Sequence, residues 1–234
     1  MPNDKNSEYL NVSSSQIMGL TEQHLTPLIG PHKLHRITID AFLSMQKAAA
    51  SENIDIQVCS SFRSFDRQLS IWNKKWRGEL PLLSLNGEVL DTANLSDEQK
   101  IHAIMLWSAL PGASRHHWGT DFDVYDRAEV TRRKHQFELV PAEYENGGPC
   151  AELSNWISDN AATFGFYLPY SKYTGGVARE PWHLSHKMVA NKIISDFDLD
   201  SLLILLKKSE ILGKEQILKQ LPDLVERYTY NKGL

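Results

Sequence analysis

Cysteine is scarce in this sequence. The 234 residues include two cysteines, Cys59 and Cys150, and neither lies in a CxxC pattern or in a Cys/His spacing typical of metal sites. This argues against a disulfide scaffold and a zinc finger, and both residues are predicted to be reduced thiols. Cys150 stands before a predicted helix, where the pKa of a thiol can be lowered. No histidine base is marked out for it, so a structural role is predicted.

Long apolar runs and a surplus of positive charge are also missing. The longest aliphatic run, Leu202 to Leu206, is too short to span a bilayer, and the first residues lack the basic flank and apolar stretch of a secretory signal. The sequence therefore predicts no membrane partner and a cytoplasmic location, or a periplasmic one if a signal has been trimmed. A formal net charge of -4 and a single short basic cluster at 132–135 predict no nucleic-acid partner.

The rest of the composition is that of an ordinary globular protein, with 41% hydrophobic and 23% charged residues. Helical and strand periodicities occur in mixed order without a regular βαβ alternation, which predicts the α+β class. Three parts are predicted along the chain. They are an irregular N-terminal leader at 1–34, a folded domain at 35–190, and a helical C-terminal extension at 191–234 packed on that domain.

Local signals place several elements inside the folded domain. The β-branched alternation of IDIQVCSSF predicts a strand that ends at Arg63, and Ser64 is the predicted N-cap of the following helix. Ser96 and Gln99 form a capping-box pattern ahead of another helix. The turn residues at 86–87, between short apolar pieces, predict a hairpin-like excursion that could form one wall of a cleft.

Two segments carry the residue types of a metal site. SRHHWGTDFD, at 114–123, covers a loop and the start of a predicted strand, and EPWH, at 180–183, follows later in the chain. A catalytic zinc site needs three nitrogen or oxygen ligands and one open position for water. The predicted ligands are His116, Asp123 and His183. Glu180 is a separate carboxylate that can reach the open side of the metal.

The same segments resemble a known family. The LAS-type zinc peptidases include D-alanyl-D-alanine carboxypeptidases and vancomycin-resistance D-Ala-D-Ala dipeptidases, and they share the patterns SxHxxGxxxD and ExxH, often ExWH. The residues that fill these patterns here are Ser114, His116, Gly119, Asp123, Glu180, Trp182 and His183. The segment SSFRSFDRQ resembles an upstream block of the family that places Arg63 and Gln68 near the site. Three blocks in the family's order make the resemblance specific.

The resemblance implies a small mixed or antiparallel sheet with flanking helices, as in hedgehog and DD-peptidase folds, and one Zn2+ per chain. It also implies a peptidoglycan-derived peptide as substrate and, as first choice, a D-alanyl-D-alanine carboxypeptidase. A D-Ala-D-Ala dipeptidase and an L,D-carboxypeptidase acting on recycled muropeptides stay open. The rival class is a non-catalytic zinc-containing module that binds peptidoglycan or a protein. Glu180 favours an enzyme, because such a module needs no base at that spacing.

The resemblance also implies roles for individual side chains. Glu180 takes a proton from the attacking water, and Arg63 stabilises negative charge on the reacting oxygen. Ser114 is predicted to hydrogen-bond the terminal carboxylate or carbonyl of the substrate. Gln68 and Tyr173, the latter beside a Gly-Gly loop, are also predicted to contact substrate.

Asp121 departs from the family pattern, because many members have a small residue at that position. On a strand it faces the same side as Asp123, so it could compete as a ligand, hydrogen-bond a ligating histidine, or be solvated. Asp123 is kept as the ligand since it alone has the family spacing, and Asp121 is predicted to hydrogen-bond a ligating histidine. His117 and His186 are predicted to be neighbours, because three ligands already complete the site.

Overall fold

A four-stranded antiparallel sheet lies at the centre of the protein, which we describe over residues 10–232 of a computed structural model. A separate two-stranded hairpin precedes it. The strands are β1 (Leu25–Pro27), β2 (Lys33–His35), β3 (Ile56–Ser60), β4 (Asp121–Asp126), β5 (Phe166–Tyr167) and β6 (His183–His186). The central sheet has the order β3-β4-β6-β5, so β4 and β6 are its inner strands.

Helices cover this sheet and continue beyond it to the C-terminal end of the described chain. The α-helices are α1 (Ser14–Ile17), α2 (Arg36–Ser51), α3 (Phe65–Trp76), α4 (Asp97–Met105), α5 (Arg127–Arg132), α6 (Ala151–Asn160), α7 (Lys187–Asp196), α8 (Leu199–Lys208), α9 (Lys214–Lys219) and α10 (Leu221–Leu224). Short 3-10 helices span Thr92–Asn94, Arg115–Trp118, Pro141–Tyr144 and Ala161–Phe164, and a π-helix spans Val225–Thr229. The predicted α+β class is confirmed.

The register of β4 and β6 sorts their side chains into two faces. Asp123 pairs with His183, and Phe122 pairs with Leu184. Because side chains alternate across a strand, the polar pair projects to one face and the apolar pair to the other. Phe122 and Leu184 are fully buried in the main core. The opposite face is therefore left for the polar side chains.

Two apolar cores support this sheet. The first lies between the sheet and helices α2 and α6, and includes Phe42, Ile56, Phe122 and Leu153. The second joins α3 and α4 to the C-terminal helices, and its members include Trp72, Ile104, Leu202, Ile217 and Leu224. Burying each large apolar side chain in this way contributes about 1.5–3 kcal/mol to the free energy of folding. The C-terminal helices are thus held by a core that also contains the helix following Arg63.

Several local predictions are confirmed. Ser64 caps α3 by accepting a hydrogen bond from the backbone of Arg67, and Ser96 with Gln99 forms a capping box at the start of α4. The leader is more regular than predicted over residues 10–34, because it contains α1 and the β1–β2 hairpin. Three-residue strands are too short to show a period in sequence. Residues 1–9 of the predicted leader lie outside the described residues.

The predicted boundary at 190/191 falls inside α7, so this helix belongs to both predicted parts. Between residues 10 and 232, no helix combines the length and the apolar character that crossing a bilayer requires.

Candidate metal centre

A tight turn brings His116 close to strand β4. The 3-10 helix Arg115–Trp118 ends at Gly119, whose φ of +70° is in the left-handed region that favours glycine. A Cβ at this position would lie 2.3 Å from Leu25 Cδ2 and 2.7 Å from the backbone nitrogen of His35. The chain can therefore reverse here only with glycine, and it enters β4 with the carboxylate of Asp123 facing the histidine.

The three predicted ligands converge. Candidate ligand atoms of His116, Asp123 and His183 all lie within 4.8 Å of one another, and all three residues are buried. His116 Nε2 is 3.4 Å from Asp123 Oδ2, and His183 Nδ1 is 3.1 Å from Asp123 Oδ1. His183 starts β6 directly opposite Asp123 of β4. The sheet register thus brings together two of the three ligands.

Two of the candidate ligand atoms have no hydrogen-bond partner within residues 10–232. Among the described residues, Asp123 Oδ1 and His183 Nδ1 are buried and make no hydrogen bond. Buried polar atoms are nearly always bonded, so two such atoms facing each other fit a bound cation. Two imidazole nitrogens and one carboxylate are also a usual donor set for catalytic zinc.

The second nitrogen of each histidine is held by an acceptor. His116 Nδ1 lies 3.0 Å from the carbonyl oxygen of Ser61, and His183 Nε2 lies 3.0 Å from Asp121 Oδ1. Both oxygens can only accept a hydrogen bond, so each histidine donates through this nitrogen and presents its other nitrogen to the centre. Burial lowers the pKa of His116 to about 3, which keeps this ring in the neutral form that binds metals.

Asp121 orients His183 and is itself neutralised. Arg115 donates through Nε to Asp121 Oδ1 at 2.8 Å, while Thr120 and Ser185 donate to Oδ2 at 2.6 and 3.0 Å. Burial opposes the charge of Asp121, but the Arg115 guanidinium and these hydrogen bonds hold its pKa below the usual range. Of the three roles left open by the sequence, the geometry corresponds to the hydrogen bond to a ligating histidine.

Arg115 was missed by sequence reasoning. Its side chain is buried, donates to Tyr167 and Ser185 as well as to Asp121, and stacks over the Trp118 ring. The signal was available, because an aspartate buried on the same strand face as a ligand requires a counter-charge, and Arg115 lies inside the same motif.

Glu180 lies beside the candidate ligands. Its Oε2 is 3.5 Å from His183 Nδ1, and its side chain is 13% exposed. Burial raises the pKa of Glu180 to about 8, with the carboxylate of Asp123 adding to the effect against the attraction of His183. A carboxylate with a raised pKa next to a metal site can exchange protons near neutral pH.

Arg63 also borders this centre, and two side chains on the side away from the cavity hydrogen-bond to it. It donates to Gln68 Oε1 at 2.8 Å and to Ser60 Oγ at 3.1 Å. Gln68 is fully buried and donates in turn to the carbonyl of Ala109 at 2.7 Å. Gln68 therefore fixes Arg63 and does not line the cavity, so its predicted contact with substrate finds no support in this geometry.

Two further predicted substrate contacts have different outcomes. Ser114 is fully buried, borders the cavity, and its hydroxyl has no hydrogen-bond partner among the described residues. Tyr173 is 43% exposed and does not line the cavity. Tyr170 lines it instead, with its ring centroid 4.8 Å from that of His183. Sequence offered no signal that separates the two tyrosines, because they share one loop.

The remaining candidates have structural roles. His117 lies 2.5 Å from the carbonyl oxygen of Arg63 through Nδ1 and accepts the backbone N–H of Gly112, so it ties the two loops together. Cys59 and Cys150 are free cysteines. Burial raises the pKa of Cys150 to about 11, which is opposite to the change that a nucleophile needs.

A cavity of about 700 Å³ opens over the centre. One wall is the predicted hairpin-like excursion, which contributes Leu83, Leu85, Asn86 and Gly87. The loop 138–142 forms another wall, and Tyr228 and Thr229 of the C-terminal π-helix form a third. The predicted role of residues 86–87 in a cleft wall is confirmed.

Comparison with known proteins gives the family. The model of the VanY family, described as D-alanyl-D-alanine carboxypeptidase, matches residues 31–189. The chain belongs to this family. The match confirms the resemblance to the LAS-type zinc peptidases, and the protein is a D-alanyl-D-alanine carboxypeptidase-type metalloenzyme.

Individual relatives of this VanY-family chain differ in how much of it they cover. An uncharacterized protein of Haemophilus influenzae is 35% identical over 121 residues, which are 51% of this chain and 92% of that protein. A protein of Bacillus subtilis named putative carboxypeptidase YodJ is 31% identical over 164 residues, 68% of this chain and 49% of that protein. The structure of VanYB in complex with D-alanine-D-alanine has a TM-score of 0.50 at 20% identity, covering 76% of this chain and 87% of that chain, and supports the fold.

Proposed function

We propose that this protein uses one zinc ion, held by His116, Asp123 and His183, to remove the C-terminal D-alanine from a peptidoglycan peptide. The observation that carries the proposal is the pair of buried, unbonded atoms, Asp123 Oδ1 and His183 Nδ1, in reach of His116 Nε2. Among residues 10–232 this is the single cluster of His, Cys, Asp or Glu with metal-binding geometry, which supports one ion per chain.

The surrounding residues supply the proton transfer and the charge stabilisation. Zinc, when bound, acts as a Lewis acid that lowers the pKa of water from 15.7 to about 7. Glu180 lies where it can take a proton from the attacking water and then deliver it to the leaving amine. Arg63, on the same cavity wall, can stabilise the developing negative charge on the scissile carbonyl oxygen, a contribution typically of about 3–4 kcal/mol.

The size of the cavity favours a carboxypeptidase over a dipeptidase. Its volume of about 700 Å³ is within the usual range for ligand pockets, and a dipeptide would fill only a small part of it. We place the residues on the amino side of the scissile bond in the remaining space, which is bordered by 138–142 and Tyr228. We therefore place the D-Ala-D-Ala end of a longer peptide in the site.

The experiment compares three substrates with the zinc-loaded protein: D-Ala-D-Ala, a pentapeptide ending in D-Ala-D-Ala, and a tetrapeptide ending in an L,D bond. We expect release of D-alanine to be fastest from the pentapeptide, to stop with a chelator and to return with added zinc. Fastest cleavage of the free dipeptide would make it a dipeptidase, and fastest cleavage of the tetrapeptide an L,D-carboxypeptidase. Zinc binding without any cleavage would favour the binding module.

A further inference from the structure

Lys75 occupies a position in the cavity wall that the proposed chemistry does not use. It lies on α3, the helix that begins directly after Arg63 and its neighbour Ser64. Gln68 and Lys75 are seven residues apart, which places them on one face of the helix and about 10 Å apart along its axis. Helical side chains lean toward the N-terminus, so the lysine extends back toward Arg63.

Lys75 forms no ion pair with any residue between 10 and 232. It lines the cavity with Arg63 and Glu180, and Glu180 acts on its charge through space without a close ion pair. Burial lowers the pKa of Lys75, the charge of Arg63 lowers it further, and Glu180 opposes both. A partly buried cation without a partner is costly, so its position suits an anion that arrives with the ligand.

The adjacent Lys74 provides an internal comparison. Both lysines lie in the last turn of α3, where a positive charge is favourable for the helix dipole. Lys74 is exposed and provides that interaction in solvent, whereas Lys75 is turned into the cavity. The helix dipole therefore does not account for the direction of Lys75.

We propose that Lys75 binds the free carboxylate of the substrate's C-terminal residue and thereby restricts the enzyme to the end of a peptide. The proposal rests on the proposed function. Glu180 passes its proton to the leaving amine, and the amine and the free carboxylate are attached to the same carbon of the leaving residue. The carboxylate must consequently lie near Glu180. Arg63 is fixed by Gln68 and Ser60 and is assigned to the scissile carbonyl, and Arg115 is paired with Asp121. Of the lysine and arginine side chains that line the cavity, Lys75 is therefore the one left for the carboxylate.

A binding measurement without turnover tests this directly. The zinc-loaded Glu180→Gln protein is titrated with two peptides, diacetyl-L-Lys-D-Ala-D-Ala as the free acid and as the C-terminal amide. We expect the acid to bind about 10- to 100-fold more tightly, as for a charge-assisted hydrogen bond, and Lys75→Met to remove most of that preference. Binding of the amide should change little, and this separates a carboxylate contact from a general loss of fold.

Two variants complete the design. Lys75→Arg retains a cation and is expected to keep most of the preference for the acid, whereas Lys74→Met removes the adjacent exposed charge and should leave both affinities unchanged. An undiminished preference in Lys75→Met, or no binding of the acid by any variant, would overturn the proposal. Hydrolysis of the same peptides by the wild-type enzyme is scored separately. Absence of hydrolysis together with a Lys75-dependent preference would reject the proposed function and retain the carboxylate site.

Discussion

Replacing Asp121 by asparagine tests how the centre is held together. The variant removes the carboxylate that accepts the hydrogen bond from His183 Nε2 and leaves the buried Arg115 guanidinium without its counter-charge. Loss of a group that orients a metal ligand typically costs about 10- to 100-fold in metal affinity, or about 1.4–2.7 kcal/mol. Breaking a buried ion pair from one side costs about 3–5 kcal/mol of folding stability. We expect both losses together.

The two quantities are measured separately. Competition with a chromophoric chelator gives the zinc affinity, and urea unfolding of the metal-free protein gives the stability without a contribution from bound metal. Asp126→Asn is the matched control, because Asp126 is a buried carboxylate at the end of the same strand that caps α5, and asparagine caps helices equally well. Wild-type zinc affinity in Asp121→Asn would refute the orienting role, and unchanged stability would refute the counter-charge argument.

Three further outcomes follow from the same geometry. Glu180→Gln should retain zinc and lose about 10²- to 10⁴-fold in kcat, and loss of zinc from this variant would show that Glu180 is a ligand. Gly119→Ala should lower the free energy of unfolding by about 2–5 kcal/mol in a denaturant titration, because its Cβ meets Leu25 and backbone at a positive φ, whereas alanine at the open Gly87 should cost less. Cys150 should resist iodoacetamide at pH 7 and react faster as the pH rises toward about 11, since only the thiolate reacts, and rapid modification at neutral pH would contradict its burial.

The sequence predicted the centre better than its surroundings, for a physical reason. The spacing from His116 to Asp123 and the spacing from Glu180 to His183 are each local, and the family resemblance joined the two motifs into one site. The pairing of β4 with β6 then brings Asp123 and His183 together. Gln68 lies near the site as predicted but behind Arg63, because its other hydrogen bond depends on how α3 packs against the loop at Ala109, 41 residues away. Helical periodicity contains no such information.

Contacts between distant parts of the chain also explain why the sequence did not predict all of the residues that line the cavity. Tyr228 and Thr229 reach it only because the C-terminal helices share an apolar core with α3 and α4, and they lie outside the residues 31–189 that match the family. The assignment of Lys75 required knowing which of two adjacent lysines faces inward. The division into three parts and the cytoplasmic location stay predictions.

The pairing of Asp123 with His183 makes the centre sensitive to the length of its strands. Inserting one residue between Asp121 and Asp123 would turn one of the two carboxylates toward Phe42 and Phe166, which both contact the Phe122 ring. An added residue in the turn at 84–88 would only lengthen a rim of the cavity. Insertions in the loops at the rim of the cavity should therefore be tolerated and should alter the substrate range. Insertions in β4 or β6 should abolish metal binding and folding together.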